Sequence, residues 1–151
     1  MRLRRNKAQS FMELVAGLAI LIPIVLILID IGTIMIGVNM NDSVCREAAR
    51  AASIGPPDQI QSGEPKKRAE LVVAKHIGAG AVKMVPTVVM TESLNPPLPQ
   101  APYGGPVDGE VTIETTCNVF PPFLVSAVVG PGGVQFKARQ TFPYTWIMPP
   151  S

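Results

Sequence analysis

Two carboxylates lie where an apolar sequence makes a charge costly. Glu13 directly precedes an apolar segment that covers residues 14–38, and Asp30 lies inside that segment. A carboxylate at the centre of a bilayer costs about 2.5–3.5 kcal/mol, and the cost falls near the headgroups. Two interpretations of Asp30 therefore stay open. Its side chain reaches headgroup water, or it faces a neighbouring helix or an assembly partner.

No catalytic or metal-binding pattern accompanies these acids. The chain has one histidine, and His76 lies on the apolar side of a predicted helix, which favours a structural role. Glu110 and Glu114 fall on the predicted solvent face of a strand, without a partner acid. The sequence contains no Cys and His spacing typical of a metal site. We therefore expect no enzymatic activity and no cofactor.

The two cysteines both fall on predicted apolar faces. Cys45 lies on a helix that follows the apolar segment, and Cys117 lies on an alternating strand. Both positions are outside the predicted membrane segment, where disulfides persist. A Cys45–Cys117 bond is one interpretation, and two separate buried thiols are the other. The bond requires Cα atoms no more than about 7 Å apart.

The apolar segment is long enough to cross a membrane. As a helix, residues 14–38 span about 37 Å at about 1.5 Å per residue, and a bilayer core is about 30 Å thick. Arg2, Arg4, Arg5 and Lys7 precede it without an intervening acid. By the positive-inside rule, the N-terminus is cytoplasmic and the rest of the chain is extracytoplasmic. A cleavable secretory signal has an apolar core of only about 7–15 residues, so we expect an uncleaved single-pass anchor.

The charge distribution supports a division into three parts. Residues 1–8 hold four of the 13 Lys and Arg, which leaves nine basic residues against 11 acidic ones in the remainder. This slightly acidic balance argues against nucleic-acid binding. We predict a basic leader at residues 1–8, a transmembrane and assembly helix at 9–38, and an extracytoplasmic α+β domain at 39–151.

Sequence periodicity predicts that the first helix continues outside the membrane to about Ser53 and carries a small antiparallel sheet of three strands. Residues 110–119 alternate most clearly between apolar and polar side chains, as expected for a strand with one buried face. Residues 95–108 contain several prolines and predict a long exposed hairpin loop. The other predicted elements are a second helix at about 66–81, strands at 85–91 and about 134–146, and a short helix at 121–129.

The residues around Glu13 resemble a prepilin processing site. A small residue, Ala8, precedes Gln9, and Glu13 is the fifth residue counted from Gln9. Residues 29–32 (IDIG) and 45–52 (CREAARAA) extend the similarity. Together these motifs resemble the TadE-like pseudopilins of the tight-adherence (Flp) pilus system, which are type IV pilin-like proteins.

The resemblance implies a pilin-like fold in the bacterial inner membrane, with the C-terminal domain in the periplasm. It implies cleavage between Ala8 and Gln9 by a prepilin peptidase. Glu13 of one subunit would then pair with the new amine of a neighbour, and Glu13 and Asp30 would be the assembly or registry residues. The implied partners are the membrane, other pilin or pseudopilin subunits, and the pilus assembly machinery.

Two functions follow from these observations. The first is a non-enzymatic pseudopilin-like subunit for assembly of a tight-adherence pilus or a related secretion machine. The alternative is a single-span membrane-anchored extracytoplasmic domain that binds protein and undergoes no prepilin processing. Only the first function requires the leader and Glu13. A membrane-tethered enzyme would require a polar pocket that the sequence does not supply.

Overall fold

The computed structural model of this protein describes residues 2–78, 80–95 and 105–148, with side chains described from Gln9 to Ile147 within these ranges. The chain forms an α+β structure, in which a long N-terminal helix, a second helix and an antiparallel sheet pack together. In chain order the elements are α1 (Arg2–Ser53), α2 (Glu64–Lys75), β1 (Val82–Met84), β2 (Val89–Asn95), β3 (Gly105–Val119), α3 (Leu124–Val129) and β4 (Val134–Met148).

The first helix, α1, is continuous across the predicted boundary between residues 38 and 39. It contains Pro23 in its interior, and the missing N–H of that residue removes one helical hydrogen bond. The portion Gln9–Ser53 is long and apolar enough to cross a membrane, and it is the one such helix in the described part of the chain. A helix of this length and composition is consistent with the predicted single-pass anchor.

The sheet contains four strands, whereas the sequence analysis predicted three. β3 is central: β4 pairs along its whole length on one edge, and β1 and β2 pair with it in tandem on the other. The predicted strand at 85–91 spans the gap between β1 and β2. Val85 still donates its N–H to the Thr116 carbonyl at 2.9 Å, but Pro86 has no N–H to donate. The edge is therefore interrupted there.

The two ends of this sheet lie at different heights along α1. At the near end, Val119 pairs with Val82 and with Val134, and Val119 lies against Gly37 of α1. At the far end, Gly105 pairs with Met148. The connection between β3 and β4, which contains α3, therefore leaves the sheet on the side of the apolar half of α1.

The core lies between β3 and the last five turns of α1. The predicted alternation of β3 is confirmed, because Val111, Ile113, Thr115, Cys117 and Val119 are all fully buried. The buried apolar residues of α1 in this core are small, which lets the sheet approach the helix closely. They are Val44, Cys45, Ala48, Ala49 and Ala52.

The second helix, α2, packs on α1 through Ala69, Val72 and Val73. It ends at Lys75, six residues before the predicted end. The chain must turn there because β1 follows closely. A Cβ atom at Gly78 would lie 2.3 Å from the Val82 carbonyl oxygen, a separation that a helical side chain cannot occupy.

Candidate functional site: the two carboxylates of the apolar helix

The N-terminal half of α1 presents an apolar surface that nothing in the described structure covers. From residue 9 to residue 29 every side chain is exposed except the half-buried Leu26. Glu13 lies on this surface, beside the exposed Phe11, Met12 and Leu14. Its carboxylate accepts one hydrogen bond, from Gln9 Nε2 at 3.3 Å in the same helix. The Glu13 carboxylate therefore has unused hydrogen-bond acceptor sites on a strongly apolar surface.

Asp30 has a quite different environment, because its side chain is fully buried. Oδ1 accepts the backbone N–H of Phe123 at 2.9 Å, and Oδ2 accepts the backbone N–H of Val125 at 2.8 Å. Hydrogen bonds to an ionised acceptor are stronger than neutral ones. The carboxylate thus binds a segment 93 residues along the chain, and this segment is the start of a neighbouring helix of the same subunit.

The partner of Asp30 is the start of the short helix α3. The first N–H groups of a helix have no partner within the helix and require an acceptor. α3 provides none of its own, since its N-cap residue is Phe123 and makes no side-chain capping bond. Asp30 supplies the missing cap from α1. The absence of Ser, Thr, Asp or Asn before an apolar helical segment was the signal in the sequence, but it does not identify the distant acceptor.

The predicted processing site lies at the edge of what the structure describes. Ala8 belongs to α1, but the side chains of residues 2–8 are outside the described part. Gln9 is exposed and contacts Glu13. The prediction of cleavage between Ala8 and Gln9 therefore stays a prediction.

Beyond Asp30, the face of α1 that meets the sheet carries further polar groups. Asn41 donates from Nδ2 to the Phe136 carbonyl at 3.2 Å and accepts the Thr115 hydroxyl at 2.8 Å. Cys45 donates its thiol hydrogen towards the carbonyls of Ile113 and Ala138, each at 3.3 Å. These buried groups are paired, so they fix the helix on the sheet without leaving a polar atom unsatisfied.

In this structure Cys45 and Cys117 are free and buried, which agrees with the interpretation of two separate thiols and not with the disulfide. Cys117 Sγ lies 3.6 Å from the Gly37 carbonyl oxygen, while Cys45 lies beside Ile113. Gly37 and Cys45 are separated by about 12 Å along the helix at about 1.5 Å per residue. The two thiols therefore share one face at different heights. Burial raises the pKa of both above the usual range.

The basic cluster at the start of α2 forms contacts within the chain. Lys67 pairs with Glu64 at 3.1 Å. Arg68 donates to the carbonyls of Ala51 and Ala52 at 3.2 Å and of Pro56 at 3.3 Å. Arg68 therefore binds the C-terminal end of α1, where carbonyls lack helical partners and a cation is favoured. A sequence cannot indicate this contact because it depends on how α2 returns to α1.

Polar residues also meet at the far end of the sheet. A groove of about 710 Å³ is lined by residues that include Ser93, Asp108, Glu110 and Tyr144. Tyr144 donates its hydroxyl hydrogen to Glu92, and burial, with this carboxylate, raises the pKa of Tyr144 well above its usual range. Among the described residues, no group of three or more His, Cys, Asp or Glu side chains is placed to hold a metal ion.

Glu13 and Asp30 are thus two acids on one helix, with one facing outward and the other bound within the chain. The resemblance to TadE-like pseudopilins rests on sequence motifs alone. No protein-family model, curated protein or solved structure matches this chain.

Proposed function

We propose that this chain is a non-enzymatic, pseudopilin-like subunit that assembles with other subunits through the N-terminal half of α1. The observation that carries the proposal is the exposed Glu13 on an otherwise apolar, uncovered helix surface. A membrane helix with an acid at its end gains from a cationic partner, and such a partner would lie on another chain. The orientation follows the basic leader, with the sheet domain on the extracytoplasmic side of a bacterial inner membrane.

The chemistry of the proposed contact is a charge pair. Cleavage after Ala8 by a prepilin peptidase would create an α-amine on Gln9 and remove Arg2, Arg4, Arg5 and Lys7. Glu13 of one subunit would then accept hydrogen bonds from the Gln9 amine of its neighbour. In a region of low dielectric either charge alone is costly, so the pair would define the axial register of adjacent subunits. Asp30 is fully buried and bound to α3 within its own chain, so we assign this contact to Glu13.

The experiment is a comparison of Glu13→Gln with the unmodified chain in its native membrane. We expect the variant to insert into the membrane normally. Cysteines placed on the exposed helix surface report contact between subunits by cross-linking, and the yield of this cross-linking should fall at least tenfold. Intact-mass measurement of the same membrane protein tests processing, with a new N-terminus expected at Gln9.

Glu47→Gln is the matched control, because Glu47 is an exposed acid on the same helix but outside the apolar half. It should cross-link like the unmodified chain. Equal cross-linking of Glu13→Gln and Glu47→Gln would contradict the assembly role, and a full-length N-terminus would contradict the processing step.

A second candidate is an unprocessed, single-span anchor with an extracytoplasmic protein-binding domain. The groove at the far end of the sheet favours it, because acidic and hydroxyl side chains line this groove. In that case substitutions of Asp108 and Glu110 would weaken partner binding, and Glu13→Gln would have no effect.

A further inference from the structure

The connection between β3 and β4 exposes an apolar surface. Val128 is 87% exposed, and Phe123, Leu124 and Val129 are each exposed by more than a third. α3 has no buried residue. No charged side chain occurs between Glu114 and Lys137. A soluble loop normally carries polar residues at such positions, so this surface is suited to an apolar environment.

The position of α3 along α1 is fixed by Asp30. Both oxygens of that carboxylate bind the first turn of α3, so α3 lies at the height of residue 30. Glu13 and Asp30 are separated by about 25 Å along the helix at about 1.5 Å per residue. A hydrocarbon core of about 30 Å requires about 20 helical residues. If the core begins at Glu13, Asp30 lies about one turn inside the opposite boundary.

The polarity of the surrounding residues agrees with this height. Residues 9–29 of α1, which precede Asp30, are exposed and almost wholly apolar. In the segment between β3 and α3, the Phe120 ring has the Nζ of Lys83 5.4 Å from its centre. An amphipathic lysine beside an aromatic ring is typical of the region between hydrocarbon and headgroups. The exposed apolar surface of α3 thus continues the membrane-facing surface of α1.

We propose that α3 inserts into the extracytoplasmic leaflet of the membrane that α1 spans, with Val128 and its apolar neighbours among the upper acyl chains. Asp30 is the residue that holds it there. Its two oxygens accept the N–H groups of Phe123 and Val125, which lowers the cost of placing the start of α3 in lipid. The sheet domain then contacts the bilayer at two points, α1 and α3, and its orientation to the membrane is fixed.

The test places a fluorophore on α3 and measures its depth. The full chain carrying Val128→Cys is labelled with an environment-sensitive dye and reconstituted at one copy per phosphatidylcholine–phosphatidylglycerol nanodisc. Ile147→Cys is the matched control, since Ile147 is an exposed apolar residue at the far end of the sheet. The native Cys45 and Cys117 are fully buried. Treating the unmodified chain with the same dye measures any labelling of these two residues.

We expect the dye at position 128 to be quenched at least threefold more by lipids with a nitroxide near the headgroup than the dye at position 147. It should also be protected from aqueous iodide. Adding Asp30→Ala to the Val128→Cys variant should reduce the difference in nitroxide quenching between positions 128 and 147. Equal iodide quenching at the two positions would overturn the proposal. Protection that appears only with several copies per disc would also overturn it, because a second subunit would then cover α3.

Discussion

The two halves of α1 belong to one continuous helix, but their acidic side chains have different partners. Residues 9–29 have exposed side chains and an acid, Glu13, that contacts only Gln9. Residues 30–53 meet the sheet and α2, and their acid Asp30 binds two backbone donors. The partners of the two acids therefore separate the helix surface that completes the fold of this chain from the surface that is left for lipid or another subunit.

The polar atoms make the distinction. In the packed half, Asp30, Asn41 and Cys45 each bind a partner in the sheet or in the connection that follows it. In the exposed half, the acceptor capacity of Glu13 is largely unused by the described chain. We infer that Asp30 acts within the subunit and that Glu13 acts between subunits.

The largest effect on stability is expected from Asp30→Ala. The change leaves the N–H groups of Phe123 and Val125 without their acceptor, and bonds to a charged group contribute about 1.5–3 kcal/mol each. For the two bonds together, we expect the free energy of local opening of α3 to fall by about 3–6 kcal/mol. Amide hydrogen exchange at these two residues measures it. Asp42→Asn is the control, because Asp42 pairs with Arg46 and Gln140 and does not contact α3. Unchanged exchange in Asp30→Ala would remove the distinction between the two halves.

Glycine substitutions compare the halves directly. A Cβ at Gly37 would lie 2.3 Å from Val119 Cγ2, whereas nothing lies within 4 Å of a Cβ at Gly17. Val119 is fully buried and would have to shift within the core, so Gly37→Ala should destabilise the domain by about 1–3 kcal/mol. Thermal unfolding followed by the near-ultraviolet signal of Trp146 measures this. Gly17→Ala should leave the transition unchanged, and equal shifts in both variants would show that the exposed half is packed as well.

A smaller effect is expected where the packed half ends. Arg68→Met removes three hydrogen bonds to the last carbonyls of α1 and the loop after it, and should cost about 1–2 kcal/mol. Lys67→Met removes one exposed ion pair and should change stability by less than about 0.5 kcal/mol. Denaturant unfolding measures the free energy of unfolding of each variant. Similar losses would mean that Arg68 does not cap α1.

The two native cysteines test the packing of the sheet on α1 without any substitution. Cys45 and Cys117 are buried and free, and burial raises the pKa of each thiol. Both therefore should react slowly with a maleimide in the folded protein, and two thiols should react after unfolding without a reductant. No reactive thiol in the unreduced, unfolded chain would instead support the Cys45–Cys117 disulfide, the other interpretation of the sequence.

The parts of the fold that were predicted correctly depend on local periodicity. The alternation of β3 and the helical continuation of α1 to Ser53 are visible in the order of apolar residues. The early end of α2 and the division of the predicted strand at Pro86 were missed. Both depend on where β1 must lie to pair with Val119, which is information about the assembled sheet.

The candidate site was predicted only in part for the same reason. The sequence identifies Glu13 and Asp30 as unusual acids, because each interrupts an apolar context. It does not identify the partner of Asp30, since Phe123 and Val125 are apolar residues that bind through their backbone. Backbone donors have no signature in the side-chain sequence. Only the uncapped start of α3 indicated that an acceptor was required.

The most direct test of the division between the halves measures two quantities on the same two variants. Glu13→Gln and Asp30→Asn are each reconstituted in bilayers, where energy transfer between labelled copies reports subunit association and amide exchange at Val125 reports the closure of α3. We predict that Glu13→Gln lowers association at least tenfold and leaves exchange unchanged, whereas Asp30→Asn accelerates exchange and leaves association within twofold. Loss of association in Asp30→Asn with normal association in Glu13→Gln would contradict the account.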